Sequence, residues 1–87
     1  MLDYALIEKE LKAVAEASPI SDQSTLEFIR ETASAGEYGI AFNTLCSWIV
    51  EDDLAVTSEY YQRIRDLSEI LGAAPLVDLM SQLVIDD

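Results

Sequence analysis

Apolar residues recur at intervals of three and four along most of the chain, which is the spacing of one face of an α-helix. The first stripe consists of Tyr4, Ile7, Leu11 and Val14, with Leu6, Ala13 and Ala15 beside it. Ser18 and Pro19 follow, and the residue before a proline disfavours helical backbone. The pattern therefore predicts a first helix that begins near Tyr4 and ends near Ser18.

A second helix is predicted between residues 21 and 36. Ser21, Asp22 and Ser24 are candidate N-caps, and Ser24 with Glu27 has the spacing of a capping box. The inward stripe consists of Leu26, Ile29 and Ala33. Gly36 is expected to end the helix in the left-handed conformation.

A third helix is expected to follow at once and to end near residues 51–53. Glu37 is placed in its first turn, where a carboxylate suits the helix dipole. Its apolar stripe consists of Tyr38, Ala41, Phe42, Leu45, Trp48 and Ile49. Gly39 interrupts this segment, and we interpret it as a point where the second helix approaches closely.

Two more helices complete the prediction. The fourth is capped by Thr57 or Ser58 and ends at Gly72; its stripe consists of Tyr60, Ile64, Leu67 and Leu71, flanked by Tyr61 and Ile70. Pro75 is favoured at the first position of the last helix. The apolar face of that helix consists of Leu76, Leu79, Met80 and Leu83.

No segment alternates apolar and polar residues as a strand would, and the connections are short, which favours antiparallel neighbours. The predicted fold is all-α: a compact bundle of four to five antiparallel helices, formed as a single domain by residues 1–87.

Charge narrows the classes of partner. The 87 residues include 17 acidic and 5 basic residues and no histidine, for a net charge of −12. The negative electrostatic potential of such a chain repels nucleic acid and anionic membranes and attracts basic surfaces. No apolar run is long enough to span a bilayer, and the acidic N-terminus is unlike a signal peptide. We therefore expect a cytoplasmic protein.

The residue types leave little basis for catalysis. Without histidine there is no Ser-His or Cys-His nucleophile pair, and one cysteine cannot form a zinc site or an intrachain disulfide. Cys46 is interpreted as a small buried hydrophobe. The three glycines are isolated, which excludes a phosphate-binding loop. We expect no enzyme activity, no cofactor and no metal.

Seven residues are candidates for contact with a partner. Glu51, Asp52 and Asp53 lie near a helix C-terminus, where carboxylates oppose the dipole; the cluster is either a solvated turn or a docking patch. Tyr61 is expected to be the exposed aromatic residue of the fourth helix, with Tyr60 and Trp48 in the core. The candidates are Glu37, Glu51, Asp52, Asp53, Tyr61, Asp66 and Glu69.

An acyl carrier protein is a less favoured alternative of similar size and charge. Such carriers attach their prosthetic group to a serine in an Asp-Ser-Leu motif that opens a helix. Here the nearest string, residues 66–68, reads Asp-Leu-Ser and lies inside a predicted helix.

Residues 35–46, with the sequence AGEYGIAFNTLC, resemble the central segment of MafI-type immunity proteins, which are small cytoplasmic proteins of toxin-bearing bacteria. The similarity extends through Trp48 and Glu51 to Tyr60, Ile64 and Leu67. It implies that the chain binds the C-terminal domain of a cognate toxin and neutralises it. Many such toxins are nucleases with basic surfaces, which an acidic inhibitor would cover.

A different class of function also fits the sequence. A small adaptor or regulatory protein would bind a non-toxin partner through an apolar groove and through its last helix. The leucines and methionine of that helix also suit pairing with a second copy of the chain, which leaves a homodimer open. These alternatives differ in salt dependence, because apolar contacts are screened little by salt.

Overall fold

The computed structural model describes residues 3–72 and 75–85, with the side chains of residues 75 and 76 left out. Five α-helices follow one another: α1 (Tyr4–Glu16), α2 (Gln23–Ser34), α3 (Tyr38–Glu51), α4 (Ser58–Leu71) and α5 (Pro75–Met80). A short 3₁₀ helix, Ser81–Leu83, follows α5. The described residues contain no strand, only an isolated bridge. The predicted all-α bundle is confirmed.

The helices pack around one hydrophobic core. α1 contacts α2, α3 and α4, while α5 covers one side of α3 and α4. The largest fully buried side chains of this core are Phe42, Leu11, Ile29, Leu45, Ile49, Ile64, Leu67, Met80, Val14 and Cys46. The Cα radius of gyration is 11.9 Å, which equals the value of about 12 Å expected for a compact chain of this length. The predicted stripes of α2, α3 and α4 therefore supply most of the core.

The N-terminal turn of α1 is more exposed than its stripe predicts. Ile7, Leu11 and Val14 are buried, but Tyr4 is 60% and Leu6 61% exposed. Tyr4 is the first residue of the helix, so its side chain lies at the edge of the bundle instead of over the core. The prediction that Tyr4 belongs to the buried stripe is therefore wrong.

Asp22, one of the three candidate caps, is the N-cap residue of α2. Its carboxylate accepts hydrogen bonds from the Ser24 amide (3.3 Å) and from the Thr25 hydroxyl (2.7 Å). Ser24 thus lies inside the helix, and the capping box that we predicted for Ser24 and Glu27 does not form. Asp22 takes the position because its carboxylate reaches two donors of the first turn.

Gly36 ends α2 as predicted, with a φ of 83°. The Glu37 amide donates to the Thr32 carbonyl and the Gly36 amide to the Ala33 carbonyl, which together form a Schellman motif. Glu37 is the N-cap residue of α3 and not part of its first turn.

Gly39 faces open space. A β-carbon built at this position meets no heavy atom within 4 Å outside its own helix and neighbours. The predicted close approach of α2 at Gly39 is therefore wrong, and packing does not account for this glycine.

The C-terminal segment differs most from the prediction. Val77 and Met80 are buried, whereas Leu79 is exposed and Leu83 is only partly buried. Leu76 was also predicted to belong to this face, but its side chain is not among those described. The helix ends at Met80 and the chain continues as a 3₁₀ turn, so Leu83 does not extend the face of α5. Beyond this turn the Val56 amide donates to the Leu83 carbonyl and the Ile85 amide to the Val56 carbonyl.

Candidate partner-binding surfaces

The four acidic candidates on and beside α3 lie at opposite ends of that helix. Glu37 precedes its first residue, while Glu51 is its last residue and Asp52 its C-cap. Fourteen residues at 1.5 Å each separate the two ends by about 20 Å. All four carboxylates are exposed. The structure therefore places Glu37 apart from residues 51–53.

Residues 51–53 form a tight turn with a defined backbone. Asp53 has a φ of 50°, in the left-handed region. The Leu54 amide donates to the Ile49 carbonyl at 2.9 Å and the Asp53 amide to the Val50 carbonyl at 3.2 Å, which is again a Schellman motif. Asp53 thus occupies the position that Gly36 holds after α2. This backbone presents three adjacent carboxylates to solvent.

Tyr61 does not have the exposure that we predicted. Its side chain is half-buried and packs against the core. Among the described aromatic residues Tyr4 and Phe28 are the exposed ones. The prediction failed because the side of α4 next to Tyr60 is also covered, which a single helical stripe does not reveal.

Asp66 and Glu69 are exposed on α4, but Asp66 does not share a face with Tyr61. At 100° per residue, Tyr61 and Asp66 lie about 140° apart around the helix axis. Asp66 accepts a hydrogen bond from the Gln62 amide nitrogen at 2.9 Å. Of the predicted contact residues, those at 51–53 are thus adjacent, Glu37 lies at the other end of α3, and Asp66 lies on a different face of α4 from Tyr61.

A groove of about 620 Å³ lies between α1 and α4 and contains one of these candidates. One wall consists of Asp3, Leu6, Ile7 and Glu10, and the other of Arg63, Asp66, Leu67 and Ile70. Both sets follow the spacing i, i+3, i+4, i+7, so each wall is one face of two helical turns. Ile7 and Leu67 are buried at its base, whereas Leu6 and Ile70 remain 61% and 49% exposed.

Charged groups border this groove. The Arg63 guanidinium donates to the Glu10 carboxylate at 2.8 and 3.3 Å and connects α4 with α1. Asp3 caps α1 by accepting from the Leu6 amide. Three carboxylates and one guanidinium therefore surround an apolar base, which leaves the border negative.

Sequence reasoning identified Asp66 but missed the groove. Leu6 and Ile70 were correctly noted as neighbours of the apolar stripes, and their spacing relative to Ile7 and Leu67 carries the available signal. The missing information was which helices are adjacent. Glu10 and Arg63 are 53 residues apart in the chain, so no local pattern indicates that they meet.

The exposed Tyr4 packs against Tyr38, which is partly buried. Their rings stack with centroids 5.9 Å apart and an interplanar angle of 13°. The pair joins the start of α1 to the start of α3, one residue after Glu37. An offset aromatic pair of this kind adds apolar surface beside the Glu37 carboxylate.

Two titratable side chains, Cys46 and Tyr60, are buried in the core. Burial raises the pKa of Cys46 to about 12, which keeps the thiol protonated at neutral pH. Burial also raises the pKa of Tyr60, whose hydroxyl donates to the Val14 carbonyl at 2.5 Å. Within the described residues no group of three or more acidic or cysteine side chains is arranged to hold a metal ion.

The fold and these surfaces define an acidic all-α bundle with a negatively bordered groove between α1 and α4. Comparison of the chain with protein-family models, with curated proteins and with solved structures finds no match. None of the helices in the described part of the chain combines the length and apolar character needed to cross a membrane.

Proposed function

We propose that this protein is an immunity protein that binds the toxic domain of a cognate bacterial toxin and blocks it by covering a basic surface. The observation that carries the proposal is the uncompensated acidic surface. The chain has 17 acidic and 5 basic residues, and the described residues contain two ion pairs, Glu8–Lys12 and Glu10–Arg63.

The exposed carboxylates suit a basic, nuclease-type toxin. Glu37, Glu51, Asp52, Asp53 and Glu69 are exposed and form no ion pair within residues 3–72 and 75–85. Complementary charge accelerates encounter, and close charge pairs in an interface can contribute several kcal/mol. Occlusion needs no chemistry from the inhibitor.

The resemblance of residues 35–46 to MafI-type immunity proteins supports the same proposal. In the structure this segment contains the Gly36 turn and the first half of α3. It includes Glu37, which is exposed, and Tyr38, which is partly buried. Ala41, Phe42 and Leu45 are in the core. The surface part of the segment is where a partner would make contact.

An adaptor that binds a non-toxin protein is the second candidate. The observation in its favour is the groove between α1 and α4, where Leu6 and Ile70 expose apolar surface. Leu79 on α5 is also exposed. Binding dominated by these contacts would change little with salt, in contrast to binding by the acidic residues.

The proposal is tested by function and not by capture alone. The tagged protein is used to isolate partners from its host at low salt, and each partner is expressed with and without it in a test bacterium. An immunity protein is expected to restore growth that the partner alone arrests. A stable partner that does not impair growth would overturn the proposal in favour of the adaptor.

Association kinetics then test the acidic contacts. The variant E51Q/D52N/D53N is expected to bind the toxin more slowly and with a weaker dependence on salt. The matched control E16Q/E27Q/E31Q removes the same number of exposed carboxylates from α1 and α2. Equal kinetics of the two variants would remove residues 51–53 from the interface.

A further inference from the structure

The groove between α1 and α4 extends along about two turns of each helix. Each wall spans eight residues, from Asp3 to Glu10 and from Arg63 to Ile70, which corresponds to about two helical turns and 11 Å. The Glu10–Arg63 ion pair joins the last position of one wall to the first of the other. The two walls therefore run in opposite directions, and Asp3 and Ile70 border the far end.

The side chains of the groove are arranged in two levels. Ile7 and Leu67 form the buried apolar base of the groove, and Leu6 and Ile70 are the exposed apolar side chains of its two walls. In the helix-in-groove mode of recognition, an amphipathic helix inserts apolar residues at i, i+3 or i+4, and i+7 between such walls. Two turns of groove accommodate an anchor set of this length.

Charge decides which helix fits. Asp3, Glu10 and Asp66 border the groove, and Arg63, the one cation among the described residues that line it, is already paired with Glu10. A second copy of this chain is disfavoured as the occupant, because each copy carries a net charge of −12 and like charges repel. A helix with lysine or arginine beside its apolar stripe would instead find carboxylates on both sides.

We infer that the groove between α1 and α4 is the docking site for a basic amphipathic helix of a protein partner, with Leu6 and Ile70 as apolar anchors and Asp3 and Asp66 as charge contacts. The inference deepens the proposed function, on which it rests, by naming the kind of toxin segment that the protein holds. It also assigns a role to Asp66 that differs from that of residues 51–53.

A synthetic peptide of about five helical turns, or 18 residues, serves as the probe. Leucines at helical spacing form one face and lysines the other, and a control peptide carries glutamates in place of the lysines. The lysine peptide is titrated into the isotope-labelled full chain and followed by NMR. Shifts are expected along residues 3–10 and 63–70, with no comparable effect of the glutamate peptide.

Paired variants separate the groove from general attraction of charge. Ile70→Ala is expected to weaken peptide binding about 5- to 10-fold through lost apolar contact. Ile40→Ala is the control, because Ile40 on α3 is also an isoleucine with 49% exposure and does not line the groove. Shifts spread over the whole acidic surface, with equal weakening by both variants, would overturn the inference.

Two further outcomes are decisive. Concentration-dependent dimerisation with shifts along the groove in the absence of peptide would make a second copy the occupant and overturn the inference. Once the growth assay has identified a toxin, the L6A/I70A variant is expected to lose growth protection against it. If it protects as well as the parent chain, the toxin binds elsewhere and the inference fails while the proposed function stands. If no toxin exists but the peptide binds in the groove, the proposed function fails alone.

Discussion

The hydroxyl of Tyr60 donates a hydrogen bond of 2.5 Å to the backbone carbonyl of Val14 and joins α4 to the last turn of α1. In a continued helix the Val14 carbonyl would accept from the Ser18 amide, but that amide donates to Ala15 instead. The carbonyls of a helix C-terminus need partners from outside the helix. Tyr60 supplies one of them from 46 residues away.

Tyr60→Phe is therefore expected to destabilise the protein by about 1–3 kcal/mol, because it leaves a buried carbonyl without its donor. The measurement is the free energy of unfolding in urea. Tyr61→Phe is the control, since Tyr61 is half-buried and its hydroxyl donates to no backbone carbonyl among residues 3–72 and 75–85. Its effect is expected within about 0.5 kcal/mol. Equal stabilities of the two variants would show that the Tyr60 bond contributes nothing.

Gly39 offers a stabilising substitution. It lies inside α3, is exposed, and has free space where a β-carbon would lie. Gly39→Ala is expected to raise the free energy of unfolding by about 0.5–1 kcal/mol through helix propensity and lower entropy of the unfolded chain. The same exchange at Gly72, whose φ is +68°, should destabilise by about 1 kcal/mol because alanine strains the left-handed backbone. A loss of stability in Gly39→Ala would contradict this account.

The sequence predicted the helices well because helix formation is largely a local property. The spacing of apolar residues, the caps Asp22 and Thr57, and the stops Gly36 and Gly72 are all read within a few residues of the helix they control. The predicted Ser24–Glu27 capping box failed because several residues compete for one cap position. The interpretation of Gly39 failed because the neighbouring helix had to be guessed.

The surfaces were predicted less well because they depend on which helices are neighbours. The groove needs residues from α1 and α4, and the burial of Tyr61 needs contacts that its own helix does not contain. Exposed carboxylates were identified correctly, since an acidic residue off the apolar stripe is rarely buried. Which of them lie close together could not be predicted, because that is a property of the packed bundle.

Asp53 has a left-handed backbone. Substitutions at this position can therefore distinguish a structural role of residues 51–53 from a binding role. Aspartate and asparagine tolerate this conformation better than alanine, and glycine tolerates it best. Asp53→Gly is expected to stabilise the protein by a few tenths to about 1 kcal/mol, and Asp53→Ala to destabilise it by a similar amount.

Asp53→Asn is the matched variant for function, because it removes the charge while retaining a residue suited to the turn. Thermal unfolding of the three variants gives the order of stability. If Asp53→Ala were as stable as Asp53→Gly, the left-handed conformation would not be held in solution. Slower toxin binding by Asp53→Asn at unchanged stability would assign the carboxylate to the interface.

Burial of Cys46 and Tyr60 predicts sensitivity to alkali. Burial raises the pKa of Cys46 from 9.0 to about 12 and raises that of Tyr60 as well. Between pH 9 and 12 the folded state keeps protons that the unfolded chain has released. This contribution to stability is complete below pH 9 and is lost as pH rises towards 12.

The free energy of unfolding should therefore fall steadily above pH 9, and Cys46→Ala should show a shallower fall from a lower starting value. Native Cys46 is also expected to resist iodoacetamide at pH 8, because the reactive thiolate is scarce and the side chain is 1% exposed. Rapid alkylation without unfolding would contradict the buried position.

The bond between Ile85 and Val56 tests whether the C-terminal segment is part of the cooperative fold. The Ile85 amide donates to the Val56 carbonyl at 3.0 Å, while the Ile85 side chain is 73% exposed. Ile85→Pro removes the donor and is expected to destabilise by about 1–2 kcal/mol. Ile85→Ala keeps the amide and should change stability by less than about 0.5 kcal/mol. Hydrogen exchange then locates the effect. The Val56 amide donates to the Leu83 carbonyl. Faster exchange of this amide in the proline variant would show that the C-terminal segment is held through this bridge. Equal exchange in both variants would show that α5 packs without it.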